Sequence, residues 1–152
     1  MKNHSEIARA YFLDGYNCSQ SVLMAFCDDL NFDRKNAALI ASPFGGGMAR
    51  LREVCGSVSG MFMAAGLFCG YDNPKDDAGK KELYALIQEL AHRFQERNHS
   101  IVCRELLGLD HKKDVPNPSA RTEEYYKKRP CADLVADAAQ ILEEVLTERG
   151  IL

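Results

Sequence analysis

Six cysteines, at positions 18, 27, 55, 69, 103 and 131, are the residues of this chain best able to do chemistry. A thiolate is both a nucleophile toward disulfides and a ligand for soft metals. No two of the six form a C-x-x-C pair, so neither a thioredoxin-type motif nor a zinc ribbon is written in the local spacing. Whatever these thiols do together must be arranged by the fold. The residue type leaves three readings open: redox work through disulfides, a four-thiolate site for zinc or an iron–sulfur cluster, and plain packing.

Helix signals divide the six. Cys18 follows Asn17, a good N-cap, with Gln20 three residues later as in a capping box. Cys55 falls in or near the first turn of a buried helix running from about Arg52 to Phe68. Cys103 lies in the first turn of a brief segment, Ile101 to Leu107, that Ser100 caps and Gly108 closes. Cys131 is the second residue of a final helix that Pro130 opens. A helix start presents free N–H groups and the positive end of the dipole, an environment that lowers a thiol pKa from about 8.5. Cys18, Cys55, Cys103 and Cys131 are therefore the candidate site residues, as catalytic thiols or, in the alternative reading, as ligands of zinc or an iron–sulfur cluster. Cys55 stands out as the leading nucleophile, because Gly45-Gly46-Gly47 precedes it and Arg50 and Arg52 could hold its thiolate. Cys27 and Cys69 fall toward helix C-termini among apolar neighbours and read as packing residues.

The elements that must carry these residues are helical. Apolar residues recur at three-and-four spacing from Ser5 to Leu13, with Gly15 as the stop, and again at Val22, Leu23, Phe26, Cys27 and Leu30. Asp33 caps a segment that must end near Ser42, because Pro43 disfavours helical geometry before it. Asn73-Pro74 reads as the start of the longest helix, reaching about Arg97 with Leu86, Leu90 and Phe94 inward. After a polar loop a short helix spans about Ala120 to Lys128, and the last runs from Pro130 to about Arg149. Gly56, Gly60 and Ala64 recur every four residues and mark a face for close helix packing. No strand alternation and no internal repeat appears. The expected fold is all-α, a compact bundle of about five to seven helices in a single domain over residues 1–152.

Composition removes several classes of function. Hydrophobic residues at 46% and charged residues at 27% describe a globular chain, not a disordered or fibrous one. With a net charge of -3 and no basic stripe, nucleic acid is not an expected partner. The run Lys127-Lys128-Arg129, flanked by Glu123 and Glu124, reads as solvated surface. No apolar stretch reaches the roughly 20 residues that span a bilayer, so membrane insertion is not expected. The N-terminus lacks the apolar core of a secretory signal, which points to the cytoplasm and to reduced thiols. Histidines 4, 92, 99 and 111 show no metal-ligand spacing and read as surface residues.

The blocks Gly15-Tyr16-Asn17-Cys18-Ser19-Gln20-Ser21-Val22, Phe44-Gly45-Gly46-Gly47-Met48, Cys55-Gly56-Ser57-Val58-Ser59-Gly60, Cys103-Arg104-Glu105-Leu106-Leu107-Gly108 and Cys131 stand in this order along nearly the whole chain. Together they resemble the redox-active proteins called the C_GCAxxG_C_C family. Val54 departs from the family name, which has glycine ahead of this cysteine. The resemblance carries over to Cys18, Cys55, Cys103 and Cys131, the four that the helix-start argument separates from Cys27 and Cys69. It implies a redox role, with a partner protein or a small thiol as the other reactant. It supplies neither substrate nor electron donor, and homodimer formation stays open.

Overall fold

The first site-bearing corner is built by two local devices in succession. Helix α1 (His4–Leu13) starts where the Asn3 side chain accepts the Glu6 N–H. It ends in a Schellman turn: Gly15, at φ +112°, lets the Tyr16 N–H reach the Tyr11 carbonyl at 3.1 Å while the Gly15 N–H bonds Phe12 O at 3.1 Å. The Tyr11 and Tyr16 rings close the turn edge to face, 5.6 Å apart. Asn17 then caps α2 (Cys18–Met24), its side chain accepting from the Gln20 N–H while Gln20 accepts from the Asn17 N–H. Four residues thus turn the chain and deliver Cys18 as the first residue of a helix.

The computed structural model describes residues 3–152, which among them form helices and no strand. After α2 come α3 (Cys27–Leu30), α4 (Arg34–Ala41), a 3-10 turn at Ser42–Phe44 and the short α5 (Gly45–Met48). The longer α6 (Gly56–Cys69) and α7 (Asp77–Asn98) follow, then α8 (Cys103–Leu106), α9 (Glu123–Lys128) and α10 (Cys131–Glu148). The all-α expectation is met.

Helix α10 is the organiser of the core. Its Leu134, Val135, Ala138, Ile141, Leu142, Val145 and Leu146 are all buried, and it packs against α1, α2, α6 and α7. Each large aliphatic side chain buried there contributes on the order of 1.5–3 kcal/mol. Helix α6 packs on α2 through its small-residue face: a Cβ at Gly60 would lie 2.6 Å from the Ser19 carbonyl oxygen. Glycine at 60 is required by that close approach.

The structure corrects several boundaries. The chain breaks at Phe26, so Cys27 is the first residue of α3 and not a late residue of α2; it is still buried, with its sulfur 3.8 Å from the Leu23 carbonyl. Helix α6 begins at Gly56, four residues later than the expected Arg52, because the segment before it pairs with another part of the chain: Val54 makes an antiparallel bridge with Val102. Asn73-Pro74 does not open α7. The Asn73 side chain and carbonyl accept from Lys75 and Asp76 to close a turn, and Asp76 caps the helix.

His4 is the largest correction among the histidines. It is 3% exposed, stacked on Phe26 at 4.3 Å, with Nδ1 2.5 Å from Glu143 and Nε2 2.6 Å from Asp29. It locks α1 to α3 and α10. Two carboxylates far along the chain make its burial tolerable, and no local spacing could announce them.

Candidate functional site

One cavity of about 280 Å³ is lined by Cys18, Cys55, Cys103 and Cys131 together. Cys27 and Cys69 lie outside it. Cys18, Cys103 and Cys131 are the first residues of α2, α8 and α10, and Cys55 is the N-cap of α6. Cys55, Cys103 and Cys131 are 4%, 7% and 8% exposed, and Cys18 is half-buried.

The thiols approach in two pairs. The Val54–Val102 bridge positions the first: the Cys55 N–H donates to Ile101 O at 2.7 Å and the Cys103 N–H to Glu53 O at 2.6 Å. Side chains alternate along paired strands, so Cys55 and Cys103 share the face opposite the two valines. They are diagonal neighbours, a relation that separates Cα atoms by about 7–8 Å, beyond the roughly 4.4–6.8 Å span of a disulfide. The second pair, Cys18 and Cys131, is joined side chain to side chain by a hydrogen bond between the sulfurs. Gly56 makes room for it, since a Cβ there would lie 3.1 Å from the Cys18 Cβ and 2.9 Å from the Phe44 carbonyl oxygen.

A family model described as putative redox-active protein (C_GCAxxG_C_C) matches residues 16–145. The chain belongs to this family. No curated protein and no solved structure matches the chain. Taken letter by letter, the family pattern has glycine, cysteine and alanine where this member of the C_GCAxxG_C_C family has Val54, Cys55 and Gly56. The crowding at Gly56 explains why even a methyl group is absent there.

Four arginines, Arg50, Arg52, Arg121 and Arg129, line the cavity of this family member, and no aspartate or glutamate does. Arg52 is 2% exposed; its Nε donates to Asp114 at 2.8 Å and its Nη1 to the Cys103 sulfur at 3.6 Å. The sequence placed Arg50 and Arg52 beside Cys55; in the fold Arg52 serves Cys103, and Arg50 holds the proline loop through Val115 O and the Ser119 hydroxyl. Arg121 stacks over Phe12 at 4.1 Å and donates to the Phe12 and Tyr16 carbonyls.

The charges sort the thiols. Cys131 is lowered to about 7, first by the hydrogen bond from Cys18 and then, against the cost of burial, by Arg129, Arg121 and Arg52. Cys18 moves the opposite way, well above the ordinary thiol value, because it donates to Cys131 and is desolvated. The two share one proton, which the arginines draw onto Cys18. Burial pushes Cys55 up to about 11, only partly offset by the Ser57 hydroxyl, which has no other partner, and by the backbone N–H groups of Ser57 and Val58. Burial also raises Cys103, against the pull of Arg52. The expected lead role of Cys55 therefore passes to Cys131. Tyr125, pushed up to about 12 mainly by burial, stays protonated at the same wall.

Among the described residues no group of three or more His, Cys, Asp or Glu side chains is gathered closely enough to hold a metal ion. Among them, too, no helix is long and apolar enough to cross a membrane.

The cavity wall is strained. Met48, Ala49, Arg50 and Arg52 all have positive φ, between 53° and 68°, as do Gly46 and Gly47 before them. Each non-glycine residue in this region costs about 1–2 kcal/mol, and such strain collects at functional sites. Gly47 has a further reason: a Cβ there would lie 2.5 Å from the Cys103 Cβ. Sequence reasoning missed Arg121, Arg129 and Tyr125. Arg129, two residues before Cys131, was hidden inside a run of basic residues whose two lysines do face solvent.

Proposed function

We propose that this protein carries out thiol–disulfide exchange, with Cys131 as the attacking thiolate and Cys18 as the resolving thiol. The observation that carries this reading is the hydrogen bond between the Cys18 and Cys131 sulfurs in a cavity walled by arginines. A thiol with a pKa near ambient pH is the most effective attacker, because it combines thiolate population with nucleophilicity. In the forward step the Cys131 thiolate attacks one sulfur of a substrate disulfide, forming a mixed disulfide and expelling the first substrate thiolate. That leaving group takes up a proton. Cys18 then loses its proton, attacks the Cys131 sulfur and expels the second substrate thiol, leaving a Cys18–Cys131 bridge. Two protein thiols are oxidised and one substrate disulfide is reduced to two thiols. Cys55 and Cys103, held as thiols by burial at neutral pH, back the pair from the opposite wall.

The test is to reduce the protein anaerobically, expose it to bis(2-hydroxyethyl) disulfide at pH 7, and map bridges by mass spectrometry after digestion. Loss of two thiols with a Cys18–Cys131 linkage is the expected result. A bridge formed only elsewhere, or retention of all six thiols, would remove this reading.

A further inference from the structure

The cavity has a charge preference that thiol exchange alone does not require. We infer that it selects a small disulfide carrying an oxyanion group, which Arg52 and Arg129 bind while its sulfurs meet Cys131. The inference rests on the thiol–disulfide reading and adds the substrate class. Three observations carry it. First, four guanidinium groups and no carboxylate line the cavity of a chain whose net charge is -3. Second, Arg52, 2% exposed and on the cavity wall, leaves its Nη2 without any hydrogen-bond partner. A buried charged donor left unpaired is costly, and an incoming anion would satisfy it. Third, the Arg129 side chain makes no hydrogen bond or ion pair among the described residues and is held only by stacking over the Tyr125 ring at 5.3 Å. Arg121, by contrast, already spends its donors on two backbone carbonyls.

Guanidinium groups favour oxyanions because their planar fork donates two parallel hydrogen bonds. The space sets the size: about 280 Å³ falls at or below the roughly 300–1,000 Å³ typical of ligand pockets, which suits a small organic disulfide and excludes a folded protein from the interior. Carboxylate, phosphate and sulfonate share the chemistry that Arg52 and Arg129 recognise.

The experiment compares three disulfides of similar size on the full reduced chain at pH 7: dithiodiglycolate (anionic), bis(2-hydroxyethyl) disulfide (neutral) and cystamine (cationic). Each rate of thiol loss is divided by the rate of the same disulfide with a free monothiol, which removes intrinsic reactivity. The normalised rate for dithiodiglycolate is expected to exceed the neutral one by about tenfold, the scale of one charge-assisted contact, with cystamine slowest. In Arg129→Gln, a half-exposed position at which a neutral side chain fits, the anionic-to-neutral ratio falls toward one. That ratio isolates recognition, because any change in Cys131 acidity acts on both disulfides alike. Arg52→Lys, which keeps the charge but loses the fork, lowers the ratio as well. Equal normalised rates for the three probes, or a ratio that neither variant changes, would overturn the inference and leave thiol exchange standing. Failure of all three probes to react would overturn thiol exchange itself.

Discussion

The cavity has two walls that carry the same residue type and treat it oppositely. On one, Cys18 and Cys131 touch, and the arginines draw the shared proton away from Cys131. On the other, Cys55 and Cys103 sit diagonally across a two-residue bridge, and burial keeps both protonated. All four occupy helix starts, so the helix start is not what separates them. What decides is whether a second sulfur donates a hydrogen bond and how many guanidinium groups face the thiol. Arg52 shows the limit of a single charge: it lies 3.6 Å from the Cys103 sulfur, and Cys103 is still raised.

Breaking the first wall should have the largest consequence. Cys131→Ser removes the only thiol with a lowered pKa, and the rate of oxidation by bis(2-hydroxyethyl) disulfide at pH 7 should fall by about a hundredfold or more, followed as thiol loss. Cys18→Ser separates attack from resolution: the mixed disulfide on Cys131 should accumulate and be visible as a mass adduct. Next in size is Gly47→Ala, which combines positive φ with a Cβ placed 2.5 Å from that of Cys103. It should cost about 2–4 kcal/mol in denaturant unfolding. Cys18→Ala sharpens the contrast between the walls, since losing the S–H donor destabilises the thiolate. The pH midpoint of Cys131 alkylation should move up toward the ordinary thiol range of about 8.5. The smallest effect belongs to Asn17→Ala, which deletes one half of the capping box before Cys18 and should lower stability by about 1 kcal/mol.

Much of the scaffold was legible because its signals are local. Gly15, the Asn17–Gln20 box, Asp33 and Pro130 each act within one turn, and each lies where an observed helix begins or ends. Long-range pairing was not legible. Arg52 to Val54 look helical in isolation, yet Val102 draws them into an extended bridge, and that bridge delays α6 and turns Cys55 into a cap. Asn73 misled for a different reason, since the side chain able to cap a helix closed a turn instead. The four cavity cysteines could be separated from Cys27 and Cys69 in the sequence, but their division into two walls could not. It depends on Arg121 and Arg129, whose positions follow from α9 and the loop before it rather than from any spacing around the cysteines.

The most direct measurement is the pH profile of alkylation at each cysteine of the reduced protein, with isotope-coded reagent and quantification by mass spectrometry. Cys131 should react first, half-maximally near pH 7, with Cys18 lagging and Cys55 protected until far higher pH, about 11. Reaction of Cys55 ahead of Cys131, or a common profile for all four, would contradict the two-wall account.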